Sequence, residues 1–327
     1  MTGPARQTFY AQISANKRQS VLLVFVVAAL LGLLALAIGY GVTGSWAAAL
    51  PIFVVVVVIG LLLAVGSFYA GDSLVLAASQ AKEVTEADAP QLLNVVRELA
   101  IAADVPMPRV YIIDDSAPNA FATGRDPQHA SVAITSGLLQ KLDREELQGV
   151  IGHEMSHVRN YDIRFTLLVG VLVGSVALLS QFFLRFTFWG GGRSRSRDSG
   201  GGGGLQLIVF VIAIALAILA PIAASLVQLA VSRQREYLAD ASSVDLTRNP
   251  MGLERALLKI SGDKEALEVA NGATQHLYIV NPIKKLSGGS SGLFSTHPPI
   301  VDRVNRLRAL TGERPLDPND PALAALD

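Results

Sequence analysis

Four stretches of this chain are predominantly apolar, at residues 21–41, 50–70, 165–184 and 205–231, and none contains Asp, Glu, Lys or Arg. A helix that crosses a bilayer needs about 20 such residues, and each stretch is long enough. One stretch alone reads equally well as a buried core helix, but four uncharged ones weaken that alternative. The first does not read as a cleaved leader, because its apolar run is too long and a second follows after an uncharged loop. The pattern predicts a multi-pass membrane protein with two transmembrane hairpins.

Elsewhere the pattern changes period. Residues 88–103 place Leu92, Val96 and Leu99 at helical spacing, with Asp88 as a candidate cap and Pro90 in the first turn. Pro106-Met107-Pro108 ends that helix. Residues 109–114, 119–124 and 131–135 read as short strands, the last two separated by Gly124-Arg125-Asp126-Pro127. A new helix then starts at Leu142-Asp143-Arg144-Glu145-Glu146-Leu147. Asp143 and Glu146 are spaced as a capping box, with Leu142 and Leu147 as a hydrophobic staple. Leu147, Val150, Ile151, Met155 and Val158 give it an apolar stripe. A last helix is expected over residues 301–310. Gly200–Gly204 reads as a low-complexity linker and residues 315–327 as a frayed tail.

The expected organisation is an N-terminal segment 1–20, a transmembrane hairpin 21–70, a soluble part 71–163, a second hairpin 164–231 enclosing a Gly- and Arg-rich loop at 187–204, a second soluble part 232–314, and the tail 315–327. Basic residues near the span ends set the orientation. Arg6, Lys17 and Arg18 precede the first span, and the loop after it is uncharged. The N-terminus and 71–163 are therefore expected on the cytoplasmic side, in agreement with Arg159, Arg164, Arg233 and Arg235. Arg185, Arg193, Arg195 and Arg197, in the loop between spans three and four, dissent.

Composition narrows the chemistry. Of 327 residues 51% are hydrophobic, and there is no cysteine, which removes disulfides, thiolate metal sites and cysteine nucleophiles. A formal net charge of +0 argues against a nucleic-acid partner. The short Arg193-Ser194-Arg195-Ser196-Arg197 run reads as a solvated loop. The chemistry lies in His153-Glu154-Met155-Ser156-His157, on the capped helix. A step of four residues turns a helix through about 400°, so both imidazoles project from nearly one face. That suits two nitrogen ligands of one tetrahedral Zn²⁺, with Glu154 beside them to handle a water. The bland alternative is a pair of unrelated helix histidines, in a chain that has only 5.

A third protein ligand is still required. Glu236, just past span four, is the candidate, and Asp240 lies four residues on along the same face. On spacing alone these acids serve equally well as a surface cluster balanced by Arg233 and Arg235. Two crossings between His157 and Glu236 return the chain to the side it left, as a shared site demands.

Together with Asn119-Ala120-Phe121-Ala122-Thr123-Gly124 and Ser295-Thr296-His297-Pro298-Pro299, these segments resemble the HtpX family of membrane zinc metallopeptidases. That family is related to the CAAX-prenyl endopeptidases among the gluzincins, and the resemblance runs through nearly the whole chain. It implies a mainly α fold with a small β-sheet, four transmembrane helices and a cytoplasmic gluzincin-type zinc-peptidase domain. It further implies a multi-pass protein of the bacterial inner membrane that cleaves misfolded or damaged membrane proteins at the cytoplasmic face. One Zn²⁺ per chain would be held by His153, His157 and Glu236, with Glu154 as general base. Asp240 would orient a histidine ligand, by analogy His153. His297 would assist the developing oxyanion, Arg303 would line the site as a substrate contact, and Asn119, Ala120 and Phe121 would form the edge strand that receives substrate. Thr296 and His297 serve as well as caps of the helix over 301–310, with Pro298 in its first turn. Arg125 and His129 have no role on this reading. Gly170 and Gly174 form a weak small-residue pair in span three.

Two rival readings remain at this point. A proteolytically inactive zinc-containing chaperone or scaffold is disfavoured by Glu154, since structural zinc sites have four protein ligands and no adjacent base. A transporter or channel would place ionisable residues inside its spans.

Overall fold

A computed structural model describes residues 9–189, 203–263, 265–268, 277–280 and 298–316. The chain divides into two compact units. One gathers 18–68 and 168–228; the other gathers 1–17, 69–167 and 229–327.

The first unit is helical. It takes in most of α1 (Phe9–Thr43) and α2 (Trp46–Ala78), with parts of α6 (Asp162–Trp189) and α7 (Gly203–Thr247). Leu34, Phe183, Ala213 and Ala217 form its buried cluster, and Tyr40 stacks on Trp46 at the α1–α2 turn. Elsewhere large apolar side chains face outward, among them Phe25, Leu62 and Phe182. Water would make such a surface costly and lipid would not. Among the described residues α2 is the helix long and apolar enough to cross a membrane. The other three expected spans fall on α1, α6 and α7, where the described apolar stretches are Ala28–Thr43, Val176–Arg185 and Phe210–Ala220. Most of the expected loop 187–204 lies outside the described residues, although Gly203 and Gly204 already belong to α7 rather than to a linker.

The second unit is built on a four-stranded mixed sheet of β1 (Lys82–Glu83), β2 (Arg109–Ile113), β3 (Ala120–Gly124) and β4 (Ala130–Thr135), in the order β1-β2-β4-β3. Strands β2 and β4 run parallel, and both outer pairs are antiparallel. The buried, β-branched positions Val110, Val132 and Ile134 meet α3 (Pro90–Ala103) and α5 (Arg144–Arg159) in one apolar core. That core continues into α8 (Pro250–Gly262) and α9 (Ile300–Thr311). A short helix, α4 (Ser136–Lys141), leads from the sheet into α5.

Local chemistry explains most element ends. The Asp143 carboxylate accepts from the Glu146 amide at 2.9 Å, and Glu146 accepts from the Asp143 amide at 2.9 Å. Both partners of the expected capping box are present, and Lys259 donates to the buried Glu146 at 2.7 Å, tying α8 to α5. The expected Asp88 cap is not formed. Its carboxylate accepts from the Thr85 amide at 2.8 Å and hydroxyl at 2.7 Å, and α3 starts at Pro90, which has no N–H to offer. Similarly α9 begins without a side-chain cap, with Pro299 at that position. Of the expected tail, residues 317–327 lie outside the described residues.

Two glycines let neighbouring helices close on α5. A Cβ on Gly149 would stand 2.5 Å from the Leu253 amide nitrogen of α8. One on Gly152 would stand 2.8 Å from Ser243 Oγ of α7. The Ser243 hydroxyl also donates to the Gly149 carbonyl at 2.8 Å. We expect Gly149→Ala to cost about 1–3 kcal/mol, because backbone atoms must move to admit the methyl. Thermal unfolding in detergent measures this, with Gly66→Ala as the comparison, since a Cβ there meets nothing within 4 Å.

Candidate metal centre

The α5 helix presents His153, Glu154 and His157 together, and α7 brings Glu236 and Asp240 to them. His153 and Glu154 are almost wholly buried, as are Glu236 and Asp240, while His157 is slightly open. His153 Nε2 lies 3.2 Å from His157 Nε2. The Glu236 carboxylate approaches the first nitrogen to 3.6 Å and the second to 3.4 Å. One ligand atom from each of the three residues lies within 4.8 Å of the others. A tetrahedral Zn²⁺ with bonds of about 2.0–2.1 Å keeps neighbouring ligand atoms about 3.3–3.4 Å apart. The observed separations bracket that value, so the cluster is of the right size for such an ion.

Hydrogen bonds on the far side of each ring fix the tautomers the fit requires. His153 Nδ1 lies 3.0 Å from Asp240 Oδ1, and His157 Nδ1 lies 3.1 Å from Asp162 Oδ2. Each Nδ1–H therefore donates to a carboxylate, leaving both Nε2 lone pairs facing Glu236. Burial lowers the proton affinity of His153, against the pull of Asp240. At His157 burial acts the same way, but Asp162, which accepts from Nδ1, and the nearby Glu236 carboxylate outweigh it and raise the pKa well above the usual imidazole value. These carboxylates make the pocket one that favours a cation.

Glu154 is set apart from the other acids. Burial pushes its carboxyl up to about 7, opposed mainly by the charge of His157. The Ala122 amide of β3 donates to it, which joins the outer strand of the sheet to the centre.

Arg303 enters from α9. Its Nε donates to Asp240 Oδ2 at 2.8 Å and its Nη2 to Oδ1 at 2.6 Å, a two-pronged pairing. Its Nη1 donates to the Ile279 carbonyl at 3.0 Å and lies 3.5 Å from Glu236 Oε2. The Nη2 to His153 Nδ1 separation of 3.4 Å brings two N–H donors together, and they share Asp240 rather than bond to each other. The Asp240 carboxyl is thereby held below the ordinary carboxylate range: burial pushes it up, and the Arg303 charge outweighs that. Arg303 is 0% exposed. The expected substrate contact is thus placed behind Asp240 and not on an open wall.

The expected substrate strand also differs in detail. β3 is an edge strand, yet Asn119, Ala120 and Phe121 are buried. The Ala120 carbonyl accepts from the Ile279 amide at 2.9 Å, and the Asn119 side chain donates to the Val280 carbonyl at 2.9 Å. Phe121 packs edge-on against Tyr278. Of the groups named here it is the Ala122 amide, not Asn119, Ala120 or Phe121, that meets the site. His297 lies outside the described residues.

Asp162 is not among the residues the sequence singles out, and Arg235 figures there as an orientation charge and as a surface partner of Glu236 and Asp240. Asp162 carried one signal, a carboxylate five residues beyond His157, where the next helix begins.

The sequence profile described as Peptidase family M48 matches residues 86–311. A protein named Protease HtpX homolog from Streptococcus agalactiae is 48% identical over 299 residues, covering 91% of this chain and 99% of its own. One of the same name from Streptococcus gordonii is 47% identical over 301 residues, covering 92% and 99%. The crystal structure of S. mikatae Ste24p aligns with a TM-score of 0.49 and 17% identity, over 90% of this chain and 66% of that one.

Removing Asp240 strands the buried guanidinium of Arg303. We expect Asp240→Ala to lower stability by about 3–5 kcal/mol, as for other broken buried pairs, read from chemical denaturation of the purified protein.

Proposed function

Because this chain belongs to peptidase family M48 and is an HtpX-like metalloprotease, we propose that His153, His157 and Glu236 hold one Zn²⁺ and that Glu154 is the general base of peptide hydrolysis. The observation that carries the reading is the convergence of three ligand-type atoms within 4.8 Å, from two helices, beside a buried carboxylate. Bound there, the ion would supply Lewis acidity, bringing the pKa of water down to about 7 and polarising a peptide carbonyl.

The protein's own groups do the rest. Glu154 accepts the proton of the attacking water and returns it to the leaving amine. The Ala122 amide holds that carboxylate in place. Asp240 and Arg303 fix the ring of His153 without touching the substrate. His297 is retained as the proposed oxyanion partner. The substrate is an extended peptide laid against the β3 edge near Ala122, held by main-chain hydrogen bonds with little sequence preference.

The apolar surface of the helical unit and the length of α2 support a membrane protein. We take the stretches 21–41, 50–70, 165–184 and 205–231, which lie on α1, α2, α6 and α7, as four transmembrane spans, and the soluble parts 71–163 and 232–314 as one cytoplasmic peptidase domain interrupted by the second hairpin. Misfolded or damaged membrane proteins are the proposed substrates, with the bilayer of a bacterial inner membrane as the site of action.

Zinc content and cleavage of an unfolded protein test this directly. Purified wild-type protein is expected to hold about one zinc per chain and to lose cleavage on chelation. Glu154→Gln should keep the zinc and lose turnover, whereas His153→Ala should lose both. Cleavage that survives Glu154→Gln would sink the assignment.

A further inference from the structure

The second histidine has a brace of its own, independent of Asp240 and Arg303. Asp162, the first residue of α6, accepts from His157 Nδ1 through Oδ2 and is almost wholly buried. Its other oxygen, Oδ1, lies 3.3 Å from Arg235 Nη1. The Arg235 side chain is 7% exposed, and its Cζ lies 3.4 Å from the ring centroid of Phe165, which is buried one turn beyond Asp162. The guanidinium is therefore placed by two features of α6, a carboxylate and an aromatic face. Arg235 also directly precedes Glu236 on α7.

A buried carboxylate keeps its place where a cation answers it, and loss of that partner leaves it uncompensated. The planar guanidinium can supply charge to Asp162 while stacking on Phe165, which an ammonium group does less well. Without that charge Asp162 would turn towards other donors, and His157 would lose the partner that sets its tautomer and ring angle.

We infer that Arg235 is a positioning residue for the metal centre: through Asp162 it fixes the ring of His157 and so ties the helix of the two histidines to the helix of the third ligand. The inference rests on the zinc reading above.

The test uses full-length protein in detergent, with Co²⁺ as the probe in place of the native ion. Its readouts are the cobalt d–d spectrum and the rate of metal release to a chelator, neither of which depends on turnover. Arg235→Gln is expected to alter the d–d bands and to speed release about 10- to 100-fold, in step with the loss of metal affinity that follows when such outer partners are removed. Arg235→Lys, which keeps charge but loses the flat stack, should fall between wild type and Arg235→Gln. Asp162→Asn removes the charge that Arg235 answers. Adding Arg235→Gln to it should then cause little further change, whereas two merely structural residues would give additive effects. The double variant also keeps the test open if Arg235→Gln alone fails to fold. An unchanged spectrum and release rate in folded Arg235→Gln, or strict additivity in the double variant, overturns the inference. If His153→Ala holds cobalt as tightly as wild type, the metal reading itself falls and this inference with it, a result distinct from failure of Arg235 alone.

Discussion

A carboxylate buried in a protein needs partners that answer its charge, and at the centre of this molecule those partners are two arginines. Asp240, Glu236 and Asp162 are all buried, and none would be stable in its position alone. Arg303 answers the first two and Arg235 the third. Each arginine is delivered by a different helix, so the charge balance of the site is also a constraint on how α5, α6, α7 and α9 assemble. Arg303 adds the Ile279 carbonyl to its contacts, which recruits the segment 277–280 as well. Such an arrangement stabilises the fold less than a well-packed apolar core of the same volume would. What it supplies is a pocket whose remaining need is for positive charge.

The two histidines sit in similar but unequal settings. His153 is sealed, its carboxylate partner held by a two-pronged guanidinium. His157 is partly open, and its carboxylate partner meets a guanidinium that faces Phe165. The side of His157 is therefore the more exposed side of the centre, and the side with more room for rearrangement.

Much of this was readable from the chain, for physical reasons. The Asp143 and Glu146 pair is a local device that needs nothing beyond its own turn, so its spacing is its structure. His153 and His157 are related by helix geometry alone, and Glu236 and Asp240 likewise. What could not be read depends on convergence. Strand β1 is two residues long and exists only through pairing with β2. Asp162 looks like any helix-starting acid, and Arg235 like any basic residue at the end of an apolar run. Arg303 is near the site as its spacing suggests, but spacing does not show which way a residue faces, and its guanidinium turns to Asp240. Asp88 shows the converse: a good cap residue was taken by a competing turn with Thr85.

The close approach of helices at Gly149 and Gly152 bears on how such chains are recognised. The His-Glu-x-x-His pattern describes the metal's view of one helix and says nothing about whether a second helix can come near enough to finish the polyhedron. Here Gly152, immediately before the first histidine, leaves room for Ser243, one turn of α7 beyond Asp240, and Gly149 leaves room for α8. A search string that carries the two small residues along with the histidines and the glutamate is thus a statement about three helices rather than one. It would reject the many helices that carry the five-residue pattern on a face too bulky to admit a third donor.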